Sequence, residues 1–249
     1  MNKIKISAVA YTNTKPFIYG IEKSEVLNQL SLALDIPSDC AAKLINNQVD
    51  IGLIPVAVIP FVHQANIISN YCIGSVGAVN SVFILSDVPI AEIKTVKLDS
   101  QSRTSNKLAE VLLKFHFKVP VTFITDQEAQ CDAIVLIGDR TFEQKAAFNY
   151  AYDMGEEWMK FTGLPFVYAA WVANKPISLS FINDFNDALK FGLAHRKELL
   201  EELPAIPNFD LADYLLHKLD FELTADKKKA LTLFLKYIEE LEGLSYRPV

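Results

Sequence analysis

Apolar and polar residues along this chain follow two alternating periods, one of two residues and one of three to four, and these predict most of its elements. Ile4 to Val9 carries the period of two and predicts a first strand. The turn-like run Tyr11-Thr12-Asn13-Thr14-Lys15-Pro16 follows, with Pro16 suited to the first turn of a helix and Thr14 placed to cap it. Leu30 to Leu34 predicts a second strand. Pro37-Ser38-Asp39 opens a helix over Cys40 to Leu44, with Ser38 as the expected cap and Asn46-Asn47 as a left-handed stop. Val49 to Val56 reads as a strand buried on both faces that reaches a ligand-facing loop. Strand, helix, strand, helix, strand implies a parallel sheet with right-handed crossovers.

The next stretch departs from that grammar. Tyr71 to Ser86 is long and β-prone but broken by Gly74 and Gly77, so it predicts a strand, a bend and a second strand leaving the first sheet. Asp87-Val88-Pro89 is the expected crossover. From Ile93 the alternation restarts: a strand to Leu98, a helix from Asn106 to Phe117, Val121 to Ile124, and the apolar run Ala133 to Ile137. Phe166 to Val172 predicts a long strand returning near Asn174-Lys175-Pro176. Three helical stripes close the chain: Ile182, Phe185, Leu189 and Leu193; then Leu211, Tyr214, Leu215 and Leu219; then Leu231, Phe234, Leu235, Ile238 and Leu241, capped by Thr224. All three are expected to pack on the first lobe. The whole predicts an α/β fold of two lobes around a cleft, lobe 1 being residues 1–87 plus 174–249 and lobe 2 residues 88–173. Such clefts, at the carboxyl ends of strands, take small ligands.

Composition narrows the ligand. With 249 residues, half of them hydrophobic, the chain has enough apolar surface for a large core. A net charge of -6 argues against nucleic acid and against an anionic membrane surface. It also means that any anion site must be local. Cys40, Cys72 and Cys131 are odd in number and lack metal-ligand spacing, which predicts buried thiols in a reducing compartment. The first residues run straight into a strand without a secretory core, and no apolar run reaches spanning length, so a cytoplasmic protein is expected. His63, His116, His195 and His217 are scattered, and Glu156-Glu157 reads as a solvated helix face. There is no glycine-rich phosphate loop and no nucleophile elbow.

The chemistry gathers in four loops. Leu98-Asp99-Ser100-Gln101-Ser102-Arg103-Thr104-Ser105 lies where a strand ends and a helix begins. Free N–H groups and the helix dipole favour an anion there, and Arg103 can add a bidentate clamp. Plain capping by Ser or Thr is the competing reading, and a run of this length exceeds what a cap needs. Tyr11 to Lys15, Asn80-Ser81 and Ile137-Gly138-Asp139 are the other loops expected at the cleft. Their side chains are mostly neutral hydrogen-bonders, with Lys15 and Arg103 as cations and Asp139 as the one acid, a set that suits a small organic polyanion. Asn13 could equally serve as an Asx-turn residue, Ser81 as a satisfied inward hydroxyl, and Asp139 as a cap for the segment starting at Arg140.

Several of these runs, taken in order, resemble one family. Ala10 to Pro16, Asp50 to Val56, Gly77 to Val82, Leu98 to Ser105, Leu136 to Asp139 and Tyr152 to Trp158, leading to Thr162-Gly163-Leu164-Pro165-Phe166, resemble the chorismate dehydratase family of the futalosine route to menaquinone. The resemblance implies a fold like the type II periplasmic solute-binding proteins, with a hinge of two crossing strands. It implies a lyase acting on chorismate without cofactor or metal. It puts Asn13, Ser81, Ser102, Arg103 and Thr104 on motif positions associated with the substrate cleft. The cleft loops, rich in neutral donors and poor in bases, point to Asn13 as the catalytic residue, and place Tyr11, Thr14, Lys15, Asn80, Gly138 and Asp139 about the substrate as well. Two other readings share the fold: a 1,4-dihydroxy-6-naphthoate synthase of the same route, and a solute-binding protein without chemistry.

Overall fold

A computed structural model of the chain describes residues 3–243. Strands β1 (Ile4–Val9), β2 (Leu30–Asp35) and β3 (Ile51–Pro55) are parallel, with β1 between the other two. Helices α1 (Lys15–Glu22) and α2 (Pro37–Ile45) are the crossovers. Helix α2 starts with Pro37 inside its first turn and Ile36 at the cap position, so Ser38 is helical and not the cap. The fixed φ of proline is already helical, which explains the earlier start.

Strand β4 (Asn66–Ser75) belongs to this sheet as well, whereas β5 (Val82–Ser86) enters a second one. There β6 (Thr95–Lys97) is followed by α3 (Arg103–Val111), β7 (Thr122–Ile124), β8 (Ala133–Ile137), the short α4 (Thr141–Gln144) and β9 (Tyr150–Asp153). Helix α3 begins three residues before the predicted Asn106 because Ser102 caps it, its Oγ accepting from Ser105 N at 3.2 Å. After Val111 it widens into a π turn over Leu112–Phe117, closed by Lys118 in the left-handed region. Helix α5 (Met154–Thr162) and β10 (Phe166–Ala173) return to the first sheet. Helices α6 (Leu179–Ala194), α7 (Arg196–Glu202) and α8 (Leu211–Asp213), a π turn over Tyr214–Lys218, strand β11 (Asp220–Glu222) and α9 (Ala225–Glu242) complete the described chain. The strand orders are β11-β4-β10-β3-β1-β2 and β7-β6-β8-β5-β9.

The sheets divide at other points than the expected lobe boundaries. Val82–Ser86 belongs to the second sheet and Phe166–Ala173 to the first, so the chain crosses at residues 76–81 and 154–165. Both strands are buried but for the half-buried Ala169, and their sequences alone do not say which sheet covers them. The third helical stripe also behaves differently from expectation. Phe234 and Tyr237 of α9 meet Trp158 of α5 edge-on at 6.0 and 6.3 Å, and Lys107 of α3 pairs with Glu242 at 2.9 Å. Helix α9 therefore braces the junction of the lobes.

One contact fixes the first cleft loop. Helices α1 and α6 cross so closely that a Cβ on Gly20 would sit 2.0 Å from the Ala188 carbonyl oxygen. Only glycine allows that approach, and it anchors α1 directly behind Asn13 and Thr14. Among the described residues no helix is long and apolar enough to cross a membrane.

Candidate functional site

The carboxyl ends of β1, β3 and β8 and the start of α3 line a cavity of about 50 Å³. Tyr11, Asn13 and Thr14 line it from the loop after β1, Ser102 and Ser105 from α3, and Ile137 and Gly138 from the end of β8. Ser81 and Val82 reach it from the chain crossing, and Tyr168 from β10. Two lobes thus contribute, at the strand ends where open α/β sheets place ligands. The only ionisable side chains in this lining are the phenols of Tyr11 and Tyr168, both pushed above the usual phenol range, chiefly by burial.

A directed set of hydrogen bonds crosses one wall. Thr14 Oγ1 donates to Asn13 Oδ1 at 3.2 Å. The Asn13 side chain also faces the oxygen of Tyr214. Tyr214 is fully buried, its pKa pushed up chiefly by burial, and its hydroxyl donates to Ser81 Oγ at 2.8 Å. The sequence offered Tyr214 only as part of a packing stripe. Its role depends on an oxygen 133 residues earlier, which no local pattern reveals.

A second set joins the lobes beside the cavity. Asp139 does not cap its own segment. Its carboxylate accepts from Thr12 N at 3.2 Å and from Thr12 Oγ1 at 2.9 Å, tying the end of β8 to the loop after β1. Burial raises its pKa despite those bonds and the nearby Lys15 charge, which together oppose it. Arg140, which sequence reasoning passed over, donates to Asp99 Oδ2 at 2.5 Å. The Arg140 Nε is buried without a hydrogen-bond partner in the described structure. Tyr11 spans the cleft, donating its hydroxyl to Gln101 Oε1. Gly138 has φ of +63°, and a Cβ there would lie 2.8 Å from the Tyr11 ring.

Other expected residues sit differently. Arg103 and Lys15 are exposed, and neither lines the cavity, so the expected guanidinium clamp does not stand at its wall. Helix geometry explains this: Ser102 caps the helix inward, and the next residue projects away. Thr104 is buried, but its Oγ1 accepts from Ala57 N at 3.1 Å, a bond between the lobes. The Gly138 N–H donates to the Ser81 carbonyl at 2.8 Å and is committed there. Asn80 has φ of +61°, donates its N–H to Asp153 Oδ2 at 2.7 Å, and lines an outer groove with Phe142 and Phe209.

Asp153 itself was read only as part of a motif. It caps α5 through Gly155 and Glu156 and also receives the N–H groups of Val79 and Asn80. One carboxylate thus pins both chain crossings, and burial still raises its pKa against those four donors. Glu157 is buried, not solvated: it pairs with His116 Nε2 at 3.0 Å and Lys160 at 2.9 Å. Cys40 and Cys72 are buried, with pKa values raised by desolvation to about 11 and about 12, so both stay thiols, while Cys131 is half-buried. Among the described residues no group of three or more His, Cys, Asp or Glu could hold a metal ion.

The architecture recurs in solved structures. Protein AF1704 from Archaeoglobus fulgidus superposes with a TM-score of 0.75 at 13% identity, over 97% of this chain and 98% of that one. An ABC transporter protein from Parabacteroides distasonis gives 0.64 at 17% identity, covering 98% and 94%. The alkanesulfonate-binding protein SsuA from Xanthomonas axonopodis pv. citri, bound to MOPS, gives 0.63 at 11% identity, covering 98% and 94%. At these identities the likeness is one of fold: the two-lobed periplasmic-binding-protein architecture. Sequence similarity goes further, because the model of the menaquinone biosynthesis family matches residues 4–240. By that match, over nearly its whole length, the chain belongs to the menaquinone biosynthesis family.

Proposed function

We propose that the protein is a chorismate dehydratase, a lyase that removes water from chorismate to give 3-(1-carboxyvinyloxy)benzoate. The observation that carries this reading is the character of the cavity wall: hydroxyls, an amide and a helix N-terminus, with no carboxylate, imidazole or amine among the lining residues. Chorismate is a dianion that brings its own carboxylates, and its ring becomes aromatic on losing water. The reaction breaks the C3–H and C4–O bonds and forms the C3–C4 double bond. The proton and the hydroxide leave together as water. Because the ether and hydroxyl substituents are trans, the departing hydrogen and hydroxyl are cis, and one face of the site serves both.

A wall without a base suits substrate-assisted proton transfer. The enolpyruvyl carboxylate accepts the C3 proton and passes it to the C4 hydroxyl, which departs as water, while Asn13 and Ser81 hydrogen-bond and orient that hydroxyl. The protein supplies one held conformer and aimed donors. The first-turn N–H groups of α3 lack intrahelical partners and hold a carboxylate. Arg140, paired with Asp99 near Tyr11, has an Nε without a partner that can turn to the substrate.

The test is direct. The protein is mixed with chorismate, and the diene absorbance is followed alongside the appearance of the aromatic enol ether. Asn13→Ala is expected to bind chorismate and turn it over at least about tenfold more slowly, a loss of about 1.4 kcal/mol. Unchanged turnover removes Asn13 from the chemistry. Consumption of a cyclic futalosine derivative in place of chorismate favours the naphthoate synthase, and binding without turnover favours a receptor.

A further inference from the structure

Tyr214 stands outside the strand–helix alternation that builds both lobes, yet its oxygen lies behind the cavity wall, next to Ser81 and Asn13, two residues of the proposed reaction that line it. It donates to Ser81 Oγ at 2.8 Å, and the Asn13 side chain faces the same oxygen. A phenol hydroxyl has one proton to give and lone pairs to accept with. With its proton on Ser81, it is left to accept from Asn13. Ser81 Oγ in turn has no other hydrogen-bond partner among the described protein groups, so its own proton is free to point into the cavity that Ser81 lines. Thr14 Oγ1, donating to Asn13 Oδ1 at 3.2 Å, sets the amide orientation at the far end. Thr14 thus donates to Asn13 and Tyr214 to Ser81, with the Asn13 side chain facing the phenol oxygen between the two bonds, so that the groups polarise one another.

The ring is held as firmly as the hydroxyl. Phe142 and Phe209 stack on each other at 3.7 Å, and both meet the Tyr214 ring edge-on, at 5.5 and 5.3 Å. Phe142 follows β8 of the second sheet, whereas Phe209 and Tyr214 belong to the C-terminal segment. Ser81 immediately precedes β5 of the second sheet, and Asn13 follows β1 of the first. The phenol therefore joins groups from both sheets and the C-terminal segment.

We propose that Tyr214 is a positioning residue of the dehydration: its hydroxyl holds Ser81 and Asn13 in one donor orientation, leaving the Ser81 proton aimed at the departing C4 hydroxyl. It does not touch substrate and acts through Ser81. Burial keeps the phenol protonated throughout the working pH range, so it is a permanent donor and not a base. The inference rests on the dehydratase reading above.

Tyr214→Phe keeps the ring and its aromatic contacts and removes only the hydroxyl. It is expected to lower kcat about tenfold, equivalent to about 1.4 kcal/mol, with KM within about twofold of wild type. A purely structural role would not give the second readout, a cycle with Ser81→Ala. If Tyr214 acts through Ser81, the double variant is no slower than Ser81→Ala alone, because the second change removes an orientation that no longer matters. Circular dichroism and thermal melting of all three variants show that each is folded when assayed. Additive losses in the cycle, or wild-type kcat in Tyr214→Phe, overturn the inference while leaving the function standing. A wild-type protein that leaves chorismate unchanged overturns the function and this inference with it.

Discussion

Two loops meet across the cleft, residues 11–15 and 101–105, and they use similar residues in opposite ways. Each follows a strand, precedes a helix, is rich in hydroxyl and amide side chains, and ends near one cation. In the first, Asn13 and Thr14 present side chains to the cavity. In the second, the side chains are largely committed: Ser102 to the helix cap and to Ser105 Oγ at 2.9 Å, Thr104 to Ala57 of the other lobe. What the second loop offers is backbone, the N–H groups of the first turn of α3. The comparison assigns chemistry to side chains of one loop and anion binding to the main chain of the other. Neither cation takes part in the cavity wall, so the wall stays neutral, with Asp139 and the Arg140–Asp99 pair beside it.

The largest way to break this comparison is to push the loops apart. Gly138→Ala places a Cβ against the Tyr11 ring at 2.8 Å and forces a side chain onto a backbone at φ of +63°. The expected cost is about 1–3 kcal/mol of folding stability, read by denaturant melting, with turnover falling further because Tyr11 can no longer reach Gln101. A Gly138→Ala protein with wild-type stability and turnover would show that the two loops are not held by that contact.

How much of this was legible beforehand differs between the two loops. Strand–helix alternation marked both as strand ends, and hydroxyl clusters marked both as polar, because periodicity and capping chemistry are local. The direction in which Arg103 projects was not legible, since it follows from where the helix starts, and Ser102 set that three residues earlier than the pattern suggested. Arg140 and Tyr214 escaped notice for a different reason. Their partners, Asp99 and Ser81, lie 41 and 133 residues away, so their roles exist only once the chain is folded. The two-sheet architecture was legible, but the sheet assignment of β5 and β10 was not. Both are mostly apolar, buried strands, and such a strand does not record which neighbour covers it. Strand β9 went unread because it is a short edge strand with half its residues exposed.

A smaller effect separates the loops by kinetics. Ser102→Ala removes a cap worth about 1 kcal/mol and loosens the first turn of α3. If that turn binds a carboxylate through its backbone, KM rises several-fold while kcat stays near wild type, the mirror image of Asn13→Ala. Steady-state kinetics on the two variants side by side decides it. A fall in kcat as large as that of Asn13→Ala would erase the distinction between chemical and binding loops.

The smallest expected effect is the most pointed. Arg103 is exposed, with no protein partner among the hydrogen bonds and ion pairs of the described residues, so Arg103→Ala should change stability by no more than about 0.5 kcal/mol. Its charge lies outside the wall, where water and salt screen it, and KM for a dianion should stay within about twofold at physiological ionic strength. Arg140 is the contrast: half-buried, joined to Asp99 at 2.5 Å, with an Nε that has no partner in the described structure. Arg140→Ala should therefore raise KM well beyond the Arg103→Ala value, and the gap should persist at higher salt because a buried charge is screened less. The reverse order, a large KM effect at Arg103 that shrinks with salt and none at Arg140, would mean that the exposed guanidinium swings inward when substrate arrives. The second loop would then bind through a side chain after all, and its difference from the first would vanish.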